Sequence, residues 1–386
     1  MKVSVVIPSY NSGPQLRACL ATLNRQHPVA GHPVEVVVVD DGSHDGTGAL
    51  VQDLGGRPDL NFDLQYHYLP RTAESGRAAA RNHGIRAATG EIVVLVDADV
   101  LLPPGALAAH LDYHRRRPDL VVTGPRGFFT EVEIGPDGPV DADAWAELVP
   151  AAGADLRDQV LAALSDNLNN LATAWHLTFS CNVSVRREHL LTVGGFDDSF
   201  TGWGLEDSEL GYRLHRLGLA FAYNRDAVVY HQHAQILTDG MYRDWVANLV
   251  RFTAKYPTDP AVTAQWVLDR VFDRVNADLT WLECYRRFEA AVRALNGRLP
   301  ERTTYEVIEV NPGNLAEVRA SLPERAKSAD LLVFDETGDS ELAATIQCLN
   351  LSRELAYFRR PSAEDRAQIL AAHPTARPSG DDLCRR

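Results

Sequence analysis

Short apolar runs alternate with amphipathic ones along the first hundred residues. Lys2 to Pro8 is a β-branched run closed by Pro8-Ser9-Tyr10-Asn11, and apolar residues then fall at helical spacing from Pro14 to Leu23. Val34 to Val39 is a run of valines broken only by Glu35, the pattern of a strand buried on both faces of a parallel sheet. It ends abruptly in Asp40-Asp41-Gly42-Ser43. A helix over about Gly46 to Leu54, a strand over Phe62 to Leu69, a helix over Arg77 to Ala88 and a strand over Ile92 to Val96 continue the series. Such alternation predicts a doubly wound α/β sheet whose ligand lies beyond the carboxyl ends of its strands.

Beyond Asp99 the rhythm loosens. Gly105 to Arg116 reads as helix, Leu120 to Gly124 as strand, and Phe128 to Asp155 as a glycine- and acid-rich excursion. A helix through Leu161 to Ala174, a strand over Thr178 to Val185, a helix over Asp207 to Leu217 and a short strand over Val228 to Tyr230, ending at His231, follow. Two helices, Met241 to Tyr256 and about Ala261 to Leu295, come next. The pattern restarts past Pro300 as strand, helix, strand, helix, and closes in a Pro- and Arg-rich tail from Pro361 expected to be loosely ordered. Three regions are therefore expected: 1–240 as the main α/β domain, 241–299 as a helical segment packed on it, and 300–386 as a small βαβα extension.

Composition narrows the class. Of 386 residues, 45% are hydrophobic and 23% charged, enough for a substantial buried core. The formal charge of −14 offers no general field for nucleic acid or anionic lipid, so any nucleotide must be held by local geometry. Five cysteines, Cys19, Cys181, Cys284, Cys348 and Cys384, lack CxxC spacing and favour free thiols in a reducing compartment. With no stretch of membrane-spanning length, the expected location is cytoplasmic. The helix with Trp245 and Arg251 is open to contact with a membrane or a partner, although ordinary packing is the favoured reading.

Candidate chemistry stands at the strand ends. Leu95-Val96-Asp97-Ala98-Asp99 runs an apolar strand into two carboxylates one residue apart, a pattern that suits Mn²⁺ or Mg²⁺ while leaving coordination positions for substrate phosphates. Asp97 and Asp99 would divide metal binding and a ribose or metal-bound water contact between them; an acidic turn would use the same residues. Asp40 is placed to accept a base N–H, with Asp41 or Ser43 fixing the loop. Arg77 and Arg81, entering a helix after Gly76, suit diphosphate charge.

Taken in order, Val3-Ser4-Val5-Val6-Ile7-Pro8-Ser9-Tyr10-Asn11, Val39-Asp40-Asp41-Gly42-Ser43-His44-Asp45-Gly46-Thr47, Ala80-Arg81-Asn82-His83-Gly84-Ile85 and Val96-Asp97-Ala98-Asp99 resemble a family 2 glycosyltransferase of GT-A fold over about Met1 to His233. The resemblance implies a doubly wound mixed sheet flanked by helices. It also implies a nucleotide-diphosphate sugar donor, a UDP-sugar being commonest, held by Pro8, Tyr10, Asn11, Asp40, Arg77, Arg81, Asp97 and Asp99. A second block, Gly202-Trp203-Gly204-Leu205-Glu206-Asp207, is similar to the Trp-Gly-Gly-Glu-Asp segment of β-1,4-galactosyltransferases, chondroitin-type polymerases and polypeptide N-acetylgalactosaminyltransferases, with Leu205 in place of the second glycine. Gly202 and Gly204 would let backbone approach a sugar, and Trp203 would stack on it as an acceptor contact with Gly204.

Inverting transfer needs a carboxylate near the acceptor nucleophile, and Asp207 is assigned as that base, with Glu206 orienting an acceptor hydroxyl; the two roles are exchangeable. His231 is the expected imidazole metal ligand beside Asp99 and Asp97, with His233 its competitor, which favours Mn²⁺ over Mg²⁺. A retaining route stays open because the polypeptide-modifying enzymes share the second block. Two rival functions are weighed. A nucleotidyltransferase would show a Gly-x-Gly-x-Arg loop where Pro8-Ser9-Tyr10-Asn11 stands, and an inactive carbohydrate-binding protein would not need the four acids Asp97, Asp99, Glu206 and Asp207 and the His231 imidazole kept together. The acceptor is left open between glycan, peptide, lipid and small aglycone, and residues 300–386 between acceptor recognition and a homodimer contact.

Overall fold

The computed structural model describes residues 1–27, 32–72, 75–130, 132–234, 236–269, 279–299 and 302–378. The chain divides into two compact units, one of Met1–Asp155, Trp175–Ala220 and Asn224–Phe252, the other of Leu156–Ala174, Phe221–Tyr223 and Thr253–Arg386.

In the first unit, β1 (Val3–Ser9), β2 (Val34–Asp40), β3 (Asp63–Tyr68) and β4 (Ile92–Val96) are parallel and alternate with helices α1 (Gly13–Leu23), α2 (Thr47–Gly55) and α3 (Arg77–Ala87). Val36 to Val39 are wholly buried, as a strand covered on both faces requires. The exception, Glu35, is satisfied in place: Ser4 Oγ, the N–H and hydroxyl of Thr89, and Gly90 N–H all donate to it, and Lys2 Nζ lies 2.5 Å away. Burial opposes its charge, but Lys2, Ser4 and Thr89 outweigh it and hold the carboxyl at about 2.

After β4 come β5 (Val100–Leu101), the helix α4 (Ala106–Arg116), β6 (Leu120–Thr123), β7 (Arg126–Phe128) and β8 (Asn182–Arg186). β8 lies antiparallel to both β4 and β6, so the main sheet runs β3-β2-β1-β4-β8-β6 through the strands of this unit and is mixed. A second small sheet places the strand Val229–His231 between β5 and β7, pairing His231 with Val100 and with Phe128.

The second unit carries four parallel strands, Tyr305–Val310, Asp330–Asp335, Leu355–Arg359 and Arg377–Pro378, ordered third, second, first, fourth. Two of these strands are additions to the expected βαβα pattern. Within the stretch expected to be loosely ordered, residues 363–372 form a helix, because Ser362 and Asp365 close a reciprocal capping box on Ala363–Ala372; residues 379–386 lie outside the described residues.

Two other expectations shift. The helix expected through Ala174 is Leu156–Leu164; Asn167 then caps a short turn by accepting from Asn169 N–H and donates to Leu355 O, which diverts the backbone. The long helix over Ala261–Leu295 is represented by Pro260–Ala264 and Trp281–Leu295, with its central part outside the described residues. Cys19, Cys181, Cys284 and Cys348 are free thiols, Cys384 lying outside the described residues. Among the described residues no helix is long and apolar enough to cross a membrane.

Behind β8, His110 and His114 share a buried ladder. His110 bonds Ser184 Oγ (2.9 Å) and Asn182 Oδ1 (2.8 Å), and His114 bonds Ser184 Oγ (2.8 Å). Burial pushes His110 down to about 4 and His114 to about 3, each starting from 6.5. Both are neutral when folded and protonate in the unfolded chain below 6.5, so their contribution is complete above that pH and is lost as pH falls toward 4 and 3. Urea unfolding is expected to show stability falling by up to about 4 kcal/mol between pH 7 and pH 5 from this pair. His114→Gln is expected to reduce that slope by about half, and an unchanged slope would remove the pair as its cause.

Candidate active site

The parallel strands β1, β2 and β4 deliver their loops to one edge. Asn11 sits in the left-handed region (φ 48°), which Asn tolerates better than most residues. That conformation lets Asn11 N–H donate to Ser43 Oγ (2.8 Å) while its Oδ1 accepts from His44 N–H (2.9 Å), joining the loops after β1 and β2. Tyr10 is half exposed beneath the Arg71 guanidinium at 4.1 Å, and Arg71 is paired with Asp41. Asp40 was expected to meet a base N–H; its Oδ1 accepts from Ser43 N–H and its Oδ2 from Tyr66 Oη, both at 2.7 Å. Pro8, within β1, is partly buried.

At the next strand end, Arg81 reaches back from α3. Its Nη2 meets Asp97 Oδ1 at 2.7 Å and its Nη1 lies 3.5 Å from Glu206 Oε1, with Arg81 only 3% exposed. Arg77, one turn earlier and half exposed, lies 3.9 Å from the same Glu206 oxygen. Burial works against the Asp97 charge, but Arg81 and then His231 outweigh it and hold the carboxyl below its usual range. Glu206 goes the other way, raised by burial and by Asp207 against the pull of Arg81 and Arg77. Two N–H positions of Arg81, Nε and Nη1, are buried without a hydrogen-bond acceptor.

Strand register supplies the histidine. Because His231 pairs with Val100, its Nδ1 comes to 3.3 Å from Asp99 Oδ2, while Gln232 N–H donates to Asp99 O at 2.9 Å. His233 Nε2, on the exposed side, is 3.4 Å from the same Asp99 oxygen. Burial opposes charge on His231, yet Asp99 and Cys181 outweigh it and push it up to about 10. The local field favours a positive charge at this point.

Among the described residues no three or more His, Cys, Asp or Glu side chains form an ion-holding group. An open site needs fewer. Ligands of one Mg²⁺ or Mn²⁺ at about 2.1 Å stand about 3 Å apart when adjacent, close to the separations of Asp99 from His231 and His233. His231 Nε2 is buried without a hydrogen-bond partner. Asp97, also expected at the metal, accepts from Arg81 Nη2 through its Oδ1.

The second block enters the helix Glu206–Arg216 through three left-handed residues, Gly202 (φ 75°), Gly204 (φ 94°) and Leu205 (φ 70°). Leu205 adopts the backbone expected of glycine at a cost of about 1–2 kcal/mol, while its buried side chain adds apolar contact. Both glycines also stand against a neighbouring helix. A Cβ on Gly202 would fall 2.4 Å from Asp244, and one on Gly204 would fall 2.9 Å from Trp245. Trp203, partly buried, donates its N–H to Asp244 Oδ2 (3.2 Å), and Asn248 Nδ2 bonds the carbonyls of Thr201 (3.0 Å) and Gly204 (2.8 Å). Asp207 is fixed by backbone, its Oδ2 accepting from Ser180 N–H (3.2 Å) and its Oδ1 from Ser208 N–H (3.0 Å).

Asn82 joins the two halves by accepting from Phe196 N–H (2.7 Å) and donating to Phe196 O and Asp198 Oδ1, both at 2.8 Å. These geometries unite Asp97, Arg81, Arg77 and Glu206 in one cluster and Asp99, His231 and His233 in an adjoining one.

Residues 4–151 match the family model described as Glycosyl transferase family 2. Over that stretch the chain is similar to family 2 glycosyltransferases. Residues 167–233 match a second model, described as N-terminal domain of galactosyltransferase, which covers the Glu206-Asp207 block. Validoxylamine A glucosyltransferase of Streptomyces hygroscopicus subsp. limoneus is 32% identical over 271 residues, 66% of this chain and 57% of that protein. Uncharacterized glycosyltransferase YfnE of Bacillus subtilis is 29% identical over 264 residues, 60% of this chain and 65% of its own length. The chain thus spans about three fifths of these relatives. S. aureus TarS 1-349 superposes with a TM-score of 0.51 at 19% identity over 78% of this chain and 83% of its own; its complex with UDP-GlcNAc gives 0.50, covering 84% of that chain. The fold is the GT-A arrangement expected from the motifs.

Sequence reasoning missed Arg71, Tyr66, Asn82, Ser180, Asp244 and Asn248. Arg71 carried a signal, a cation following the third strand, whereas the others are ordinary residues whose partners are distant in sequence.

Removing one member of a buried ion cluster leaves the others uncompensated. Arg81→Met is expected to destabilise the protein by about 3–5 kcal/mol in chemical denaturation, and Arg81→Met/Glu206→Gln to recover at least a third of that loss. No recovery in the double variant would show that Glu206 does not depend on Arg81.

Proposed function

We propose that this protein is a family 2 glycosyltransferase that moves a sugar from a nucleotide-diphosphate donor to an acceptor nucleophile, with inversion and with a divalent cation. The observation that carries the reading is the pair of unsatisfied, buried N–H positions on Arg81, held between Asp97 and Glu206 and next to Asp99 and His231. Buried donors without acceptors are costly, and a ligand rich in oxygen removes that cost. A UDP-sugar is the favoured donor class, in keeping with the UDP-GlcNAc complex of the similarly folded TarS.

Tyr10 and the Arg71 guanidinium above it offer a flat face for a nucleobase at the β1 and β2 loops, where Asn11 and Asp40 set the loop shape. Asp99 with His231 or His233 would hold the ion, Mn²⁺ being favoured by the imidazole, and the bound ion would neutralise charge on the departing diphosphate. Arg77, at the exposed start of α3, adds mobile positive charge. Asp207 accepts the acceptor proton as the anomeric carbon is attacked from the face opposite the diphosphate, and two backbone N–H groups aim its carboxylate. Glu206, buried against Arg81, acts as an organiser of that cation; this leaves Asp207 as the base of the pair.

Asp207→Asn is expected to lower turnover by at least about a hundredfold while UDP binds with near-normal affinity in calorimetry. Loss of UDP binding in that variant would move Asp207 out of the acceptor side. Asp99→Ala is expected to abolish the Mn²⁺ dependence of UDP binding, and an unchanged Mn²⁺ dependence would sink the metal assignment.

A further inference from the structure

Arg126 takes no part in the chemistry above. It opens β7 opposite Val229, and Phe128, two residues on, pairs with His231, so strand alternation puts Arg126 on the same face of the small sheet as His231. The Phe128 ring stacks on the His231 imidazole at 5.4 Å with 12° between planes. The Arg126 guanidinium lies over Phe128 at 5.1 Å and over Phe179 at 4.3 Å. Its Nη1 reaches only the Cys181 sulfur, at 3.8 Å, and its Nε is buried without an acceptor. Among the described residues it has no carboxylate within ion-pair distance; the nearby Asp155 accepts from its backbone N–H instead. A thiol is a weak acceptor, so neither Nε nor Nη1 has a strong partner.

A second relation locates this cation. Phe179, Ser180 and Cys181 are consecutive: the first lies under the guanidinium, the last touches it, and the middle one donates its N–H to Asp207 Oδ2. One tripeptide therefore orients both the base and the guanidinium. Arg77 and Arg81 stand elsewhere, on α3.

We propose that Arg126, gripped between Phe128 and Phe179 beside Asp207, binds a carboxylate or phosphate carried by the acceptor sugar, so that the acceptor is an acidic or phosphorylated saccharide. The aromatic grip holds the planar fork in one orientation, and a guanidinium so held pairs bidentately with either group. The inference rests on the assignment of Asp207 to the acceptor side.

The test uses the full chain with UDP and Mn²⁺, and reads binding of methyl glucoside, glucuronate and glucose 6-phosphate by ligand-observed NMR. At least one acidic probe is expected to bind tenfold or more tightly than methyl glucoside, and the probe that does so identifies the substituent. In Arg126→Met, which keeps an unbranched side chain between the rings, the preference is expected to fall to within twofold; Arg126→Lys, which restores the charge, is expected to recover part of it. No preference in the wild type, a preference that survives in Arg126→Met, or a loss of UDP binding in that variant in place of acid binding would each overturn the proposal. Failure of the wild type to bind UDP would instead sink the glycosyl-transfer reading, since the acid preference is measured separately in the same samples.

Discussion

Burying a guanidinium at the end of a strand obliges the surrounding chain to supply negative charge, and Arg81 does this to two segments at once. It fixes Asp97 at the end of β4, Glu206 at the start of its helix and, through that helix, the neighbouring Asp207. A lone cation in this position would be prohibitively costly, so the acidic residues are constrained by the arginine as much as it is by them. The cluster does not satisfy itself completely. Arg81 Nε and Nη1 are left buried without a hydrogen-bond acceptor.

The neighbouring group has a different origin. Asp99 and His231 are 132 residues apart and meet because a three-residue strand pairs in register with a two-residue one. A slip of one position would turn the imidazole to the other face of the small sheet. Phe128 packs flat against that imidazole from the parallel neighbour, so the orientation of His231 is set by stacking as well as by hydrogen bonding.

Much of this edge was legible in the sequence, because a parallel strand buried on both faces must end where polar residues begin. Asp40, Asp97 and Asp99 were found in that way, and His231 from the strand it closes. What escaped were the partners. Tyr66 reaches Asp40 across 26 residues, Asp244 reaches Trp203 across 41 and Asn82 reaches Asp198 across 116, through side chains whose types are unremarkable in their local context. The glycines of the second block show the same limit: their need for φ > 0 was visible, while the helix packed against them was not. The segment 156–174 joins the second unit through hydrogen bonds from Asp166 and Asn167 to residues 355 and 357, a pairing that no local periodicity announces.

The clamp on residues 201–204 has a thermodynamic meaning. Asp244, Trp245 and Asn248 hold that loop from a single helix, so its conformational entropy is surrendered during folding. Side chains can then be exchanged on a fixed frame, whereas a change in the frame itself would have to pass through the helix that braces it.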